Sequence, residues 1–199
     1  MDKVNAIYNR TLVAVFKENR KVLKNMKDES KELLEDARKR KYNVISTLKQ
    51  LRLNNINTGH FYVQVVDYMS EVTKALYHIV LPAFNHIDNN HEGLSKEQIE
   101  DLMKVNDSVE NIFKQIREML QSKNFANIDR VMDMRDSLFE MIAEITKRQL
   151  QRINNEDINT PTKASLLYLD ILSETKTMVL QARNLIKSQR YFIEHKSDN

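Results

Sequence analysis

Three short motifs occur twice along this chain, in the same order. Phe16-Lys17-x-x-Arg20-x-Val22-Leu23 returns as Phe113-Lys114-x-x-Arg117-x-Met119-Leu120. Ile56-Asn57-Thr58 returns as Ile158-Asn159-Thr160, and Asp67-x-x-Ser70-Glu71 as Asp170-x-x-Ser173-Glu174. The offsets are 97, 102 and 103 residues, so a few insertions separate two copies of one plan. Any one match is weak; three in order constrain the architecture, because a repeated plan demands a repeated fold unit. The boundary falls at residues 92 and 93, giving one unit over 1–92 and a second over 93–199.

What each unit is made of follows from what the chain lacks. Two glycines and two prolines in 199 residues are too few to punctuate a sheet protein. Long helices with short connections are the alternative. Apolar residues recur at helical spacing through Val4, Ile7, Val15, Phe16, Val22 and Leu23, predicting a first helix over residues 2–25. A second, over 28–53, carries Leu34, Ala37, Val44, Ile45, Leu48 and Leu51. A third opens at Thr58, an N-cap residue type, and Pro82 is expected to kink it or end its regular part. The turn-rich run from Asp88 to Gly93 joins the units. Ser95-Lys96-Glu97-Gln98 reads as a capping box opening a fourth helix that runs to Gln121. A fifth covers 124–153. A sixth opens at Thr160 with Pro161 at its first position and reaches Glu194. The expected fold is all-α: two tandem antiparallel three-helix bundles, spectrin-like in packing, related by an internal pseudo-two-fold repeat.

Composition excludes several chemistries. There is no cysteine, hence no disulfide, thiolate zinc site or thiol nucleophile, in keeping with a cytoplasmic protein. Residues 1–5 carry no apolar signal segment, and no run of apolar residues is long enough to span a bilayer. The net charge of +3 argues against nucleic acid. The one dense basic cluster, Arg38-Lys39-Arg40-Lys41, reads as solvated surface, with an anionic membrane surface as its functional alternative. No Glu-x-x-His exists for a ferritin-type di-iron oxidase, and no nucleophile motif or glycine-rich phosphate loop is present.

The chemistry left is carboxylate chemistry. Asp67 and Glu71, and Asp170 and Glu174, are four apart, so each pair stacks on one helix face. Two like charges so close call for a cation, a basic partner or water, and oxygen-rich sites suit hard ions. His60, Gln64, Lys74 and His78 share the face of Asp67 and Glu71. The fifth helix carries a second acidic stripe, Asp129, Asp133, Asp136, Glu140 and Glu144. The competing reading is plain: a polar stripe on an amphipathic helix is also its ordinary solvated face. Asp88-x-x-His91, beside His86, is a ligand pair or, more simply, loop capping.

Two tandem three-helix units, each with a four-spaced acid pair on its third helix, resemble the PhoU family of phosphate-uptake regulators. Asp67-Tyr68-Met69-Ser70-Glu71 and Asp170-Ile171-Leu172-Ser173-Glu174 match the spacing of the family's Glu-Arg-Ile-Gly-Asp pattern. Val131-Met132-Asp133-Met134-Arg135-Asp136 is similar to its middle-helix acids, whereas Lys39 replaces the acid expected three residues after Asp36. The stretch from Phe61 to Leu94 looks most like the PhoU-like cytosolic domain of bacterial sodium/phosphate cotransporters. The resemblance implies a regulator rather than an enzyme. It implies a metal ion or multinuclear cluster, iron first and manganese, zinc or magnesium after it, on Asp67, Glu71, Asp133, Asp136, Asp170 and Glu174, with the second copy the better site. It also implies a phosphate transporter, or its cytosolic face, as partner. Peripheral contact with the inner face of the membrane and self-association are compatible with it. The rival from another class is a metal-free helical scaffold or adaptor for a protein partner. A metal-dependent hydrolase or oxidase ranks last, for want of a dedicated base beyond His60 and His78.

Overall fold

The computed structural model describes residues 1–51, 56–155 and 162–197. It is all-helical, with no strand among the described residues. Seven helices follow in order: α1 (Asp2–Phe16), α2 (Arg20–Tyr42), α3 (Val44–Leu51), α4 (Ile56–Asp88), α5 (Lys96–Ser122), α6 (Ile128–Asn155) and α7 (Thr162–Ser197). The break at 54–57 and the Thr160-Pro161 start fall wholly or partly outside the described residues.

The first boundary differs from expectation. The apolar stripe of residues 4–23 predicts one helix to residue 25, yet α1 stops at Phe16 and α2 starts at Arg20. Glu18 takes the left-handed conformation, φ 50°, and its amide reaches the Val15 carbonyl at 3.0 Å. The Asn19 side chain then accepts from the Val22 amide at 3.1 Å, a cap contributing about 1 kcal/mol. Val15 before the turn and Leu23 after it are both buried, so helical spacing runs unbroken across a corner. The repeated Phe-Lys-x-x-Arg motif therefore has two local structures: it spans the α1–α2 turn in the first copy and lies inside α5 in the second. At the other end of α2, Asn43 interrupts the predicted second helix and α3 follows as a separate element. Ile45, expected in the core, is 59% exposed.

Other boundaries agree. The capping box forms from both sides, Ser95 N–H to Gln98 Oε1 at 2.9 Å and Gln98 N–H to Ser95 Oγ at 3.2 Å. Helix α4 passes through Pro82 to Asp88; the lost amide donor does not end it, because Ile79, Val80, Ala83 and Phe84 on either side are anchored in the core.

Helices α1, α2 and α4 pack together, as do α5, α6 and α7, and the most extensive contact of all is between α4 and α7. One continuous core runs through these six helices. Tyr8 of α1 is fully buried and shares a 3.0 Å hydrogen bond with Thr175 of α7; burial pushes its phenol well above the usual range. Lys27 of α2 lies over the Phe84 ring of α4 at 4.3 Å. No helix among the described residues is long and apolar enough to cross a membrane.

Candidate functional site

Helices α4 and α7 run antiparallel along their length. Phe61 stacks on Tyr191 with ring centroids 5.2 Å apart, Ser188 Oγ donates to Gln64 Oε1 at 3.1 Å, and His78 Nδ1 lies 3.8 Å from Glu174 Oε1. At the far end Lys163 Nζ meets His91 Nε2 at 3.4 Å. This register brings Ala75 level with Thr177 and Met178. Asp67 precedes Ala75 by eight residues and Asp170 precedes Met178 by eight. Asp170 is thus level with Pro82, fifteen residues beyond Asp67 along α4, so at 1.5 Å per residue the two aspartates are about 22 Å apart along the contact.

The two carboxylate pairs have different neighbours. Asp67 is held by Lys41 of α2 at 3.1 Å, and Glu71 by Lys74 one turn on at 3.6 Å. All four side chains are partly exposed, so these pairs contribute little to stability but do neutralise the acids. In the second pair Glu174 faces His78 across the helix contact, while the exposed Asp170 has no side-chain partner among the described residues. Asp170 also borders two clefts. One, of about 810 Å³, opens between α6 and α7 over Ile142, Leu150, Leu169 and Lys176. The other, of about 320 Å³, lies against Pro82, His86, His91 and Lys163.

Asp133 and Asp136 are on the exposed side of α6. Arg135 Nε donates to Asp136 Oδ1 at 2.9 Å; Asp133 has no side-chain partner among the described residues. Helix α6 runs antiparallel to α7, with the Met132 sulfur beside Arg183 at 3.6 Å and Lys176 Nζ over the Phe139 ring at 5.3 Å. That register sets Glu140 and Glu144 level with Glu174 and Asp170, and leaves Asp133 and Asp136 one to two turns further along. Among the described residues no three of His, Cys, Asp and Glu converge closely enough to hold a metal ion. As donors, Asp170 and Glu174 fit a hard cation better than Asp67 and Glu71, because no lysine pairs with them among the described residues.

No protein-family model and no curated protein matches this chain.

In the turn between α4 and α5, three polar side chains have partners. Asp88 pairs with Arg20. His86 Nε2 lies 2.8 Å from the Glu92 carbonyl, and its ring meets that of His91 edge-on at 5.2 Å. Desolvation first, then Lys163 and His86, hold the His91 imidazole below its ordinary pKa. These contacts account for His86, Asp88 and His91 as fasteners of the turn.

One polar centre escapes sequence reasoning. Asp101 of α5 is buried. It accepts from Arg148 Nη2 of α6 at 2.9 Å and from the Tyr168 hydroxyl of α7 at 3.0 Å, with Arg152 3.9 Å away. Burial and the Asp101 charge raise the Tyr168 pKa. The signal was present: Asp101 occupies a stripe position between Gln98 and Val105, where an acid demands a partner.

Proposed function

We propose that this chain is a PhoU-like regulator of phosphate uptake, carrying a cation on the carboxylate face of α4 and α7 and acting on a phosphate transporter through protein contact. The observation that carries the reading is the disposition of the two acid pairs. One pair lies on each of the two helices that share the most extensive contact, about 22 Å apart along that contact, as a plan with one pair per copy would place them. With the packing of α1, α2 and α4 together and of α5, α6 and α7 together, it supports the two-unit reading, 1–92 and 93–199.

Within this reading the second pair is the cation site. Asp170 and Glu174 would supply carboxylate oxygens and water the remaining positions, since no third ligand converges with them among the described residues; Glu140 and Glu144 are the nearest further acids by register. A bound cation would neutralise charge on this face and so alter how it meets a partner. Asp133 and Asp136 would hold a cation only separately from that pair. The resemblance favours regulation over catalysis. A second reading, a metal-free adaptor, draws support from the lysines that already neutralise Asp67 and Glu71.

Elemental analysis separates the two. Protein offered iron, manganese, zinc and magnesium should retain stoichiometric metal, lose it in Asp170→Ala/Glu174→Ala, and keep it in Asp67→Ala/Glu71→Ala. Wild-type protein that holds none would leave the adaptor reading. The regulatory half has its own test: deleting the chain should release phosphate uptake from its dependence on external phosphate, and unchanged uptake would refute it.

A further inference from the structure

Charge is distributed unevenly along this chain. Between Asp36 and Asp67 there is no acidic residue, while Arg38, Lys39, Arg40, Lys41, Lys49 and Arg52 all fall in that interval. A second acid-free interval, between Glu174 and Glu194, holds Lys176, Arg183, Lys187 and Arg190, but these are spread over nineteen residues rather than clustered. The described part of the first interval holds the end of α2, all of α3 and the start of α4. Among the described residues helix α3 touches only α2 and α4, and Ile45, Ser46, Lys49 and Gln50 are exposed.

The side chains at this end suit a flat, charged, partly apolar surface. Arg38, Lys39 and Arg40 are exposed, and neither Arg38, Arg40 nor Lys49 has an ion-pair partner among the described residues. Lys39 is 3.8 Å from Asp36 and Lys41 is held by Asp67, leaving three bases unneutralised. Tyr42 follows directly and is 86% exposed; Ile45, one turn on, is 59% exposed. An aromatic residue with a polar tip and an aliphatic residue, flanked along the chain by bases, match the interfacial zone of a bilayer: the ring and alkyl group enter the headgroup–acyl boundary and the cations meet lipid phosphate. A nucleic-acid groove would use Tyr42 for stacking but gives Ile45 no role.

We infer that the α2–α3 end docks on an anionic lipid bilayer, with Arg38, Arg40 and Lys49 meeting headgroup phosphates and Tyr42 and Ile45 entering the interface. This goes beyond the regulatory reading and is independent of any metal or transporter.

The test is co-sedimentation of the full chain with phosphatidylcholine vesicles and with vesicles containing about one-third phosphatidylglycerol. Anionic vesicles should bind at least about tenfold more tightly, with the difference lost near 0.5 M salt, where screening shortens to a few ångströms. Arg38→Ala/Arg40→Ala should weaken that binding about tenfold or more. Tyr42→Ser/Ile45→Ser should weaken it while leaving the salt dependence intact. Lys21→Ala/Lys24→Ala, exposed bases nearer the other end of α2, should leave it unchanged. All variants alter exposed side chains, and circular dichroism checks that each is folded. No preference for anionic vesicles would overturn the inference, as would equal losses from the two base-pair variants. Tighter binding to an oligonucleotide at the same salt would overturn it too.

Discussion

At the residue scale the largest electrostatic commitment is Asp101. A carboxylate this buried is tolerated because Arg148 and Tyr168 both donate to it, and because Arg152 adds charge nearby. Removing one partner of a fully buried pair costs about 3–5 kcal/mol. Here the Arg148 side chain is 52% exposed and can turn to water, so the cost is smaller. Asp101→Ala is expected to lower stability by about 2 kcal/mol, mostly from stranding the Tyr168 hydroxyl. Urea denaturation measures it, and Asp101→Ala/Tyr168→Phe should recover part of the loss because the stranded donor is gone. A double variant no more stable than the single would show that the arginine pairing dominates. By contrast, Lys41–Asp67 and Lys74–Glu71 lie in water, and their loss should be nearly silent in the same experiment.

Helix existence was legible and helix ends were less so, for a reason that individual residues make clear. The capping box at Ser95 is a side-chain code, and it forms as read. The α1–α2 corner has no glycine or proline; it depends on Glu18 accepting a left-handed backbone and on Asn19 capping across it, and neither residue type forces the turn. Periodicity even concealed it, since Val15 and Leu23 stay in phase through the corner. Ile45 shows the opposite error: an apolar residue at helical spacing that the fold leaves outside. The carboxylate pairs were legible as faces but not as neighbours, because sequence spacing says nothing of what an adjacent helix brings; Lys41 reaching Asp67 and His78 reaching Glu174 are tertiary facts. The corners also carry strain that can be tested. Lys123, at the end of α5, has φ 54° and ψ 25°, the left-handed cap that glycine adopts without Cβ conflict. Lys123→Gly should raise stability by about 0.5–1 kcal/mol, the strain relieved less the added chain entropy, read as a higher thermal midpoint. A lower midpoint would mean that the lysine side chain makes a compensating contact.

For the whole molecule, the question is whether two sequence units mean two folding units. The repeat suggests separable halves, yet α4 and α7, one from each half, share the largest interface, and Tyr8 of the first half is buried against Thr175 of the second. Each half alone would expose the inner face of a helix roughly 50 Å long. Repeated motifs in a sequence do not decide what folds together; burial does. Leu76, in the middle of α4 and fully buried, probes this. Leu76→Ala should cost about 2–5 kcal/mol. If the core is one cooperative unit, that loss moves a single transition, and circular dichroism, tyrosine fluorescence and hydrogen exchange at α5 and α6 all follow it. If the halves unfold separately, exchange in α5 and α6 stays at its wild-type level while α1, α2 and α4 open sooner. The extent of the α4–α7 contact and the single continuous core favour the first outcome: a substitution in residues 1–92 should be felt throughout 93–199, which is also what coupling between two carboxylate faces on those two helices would need.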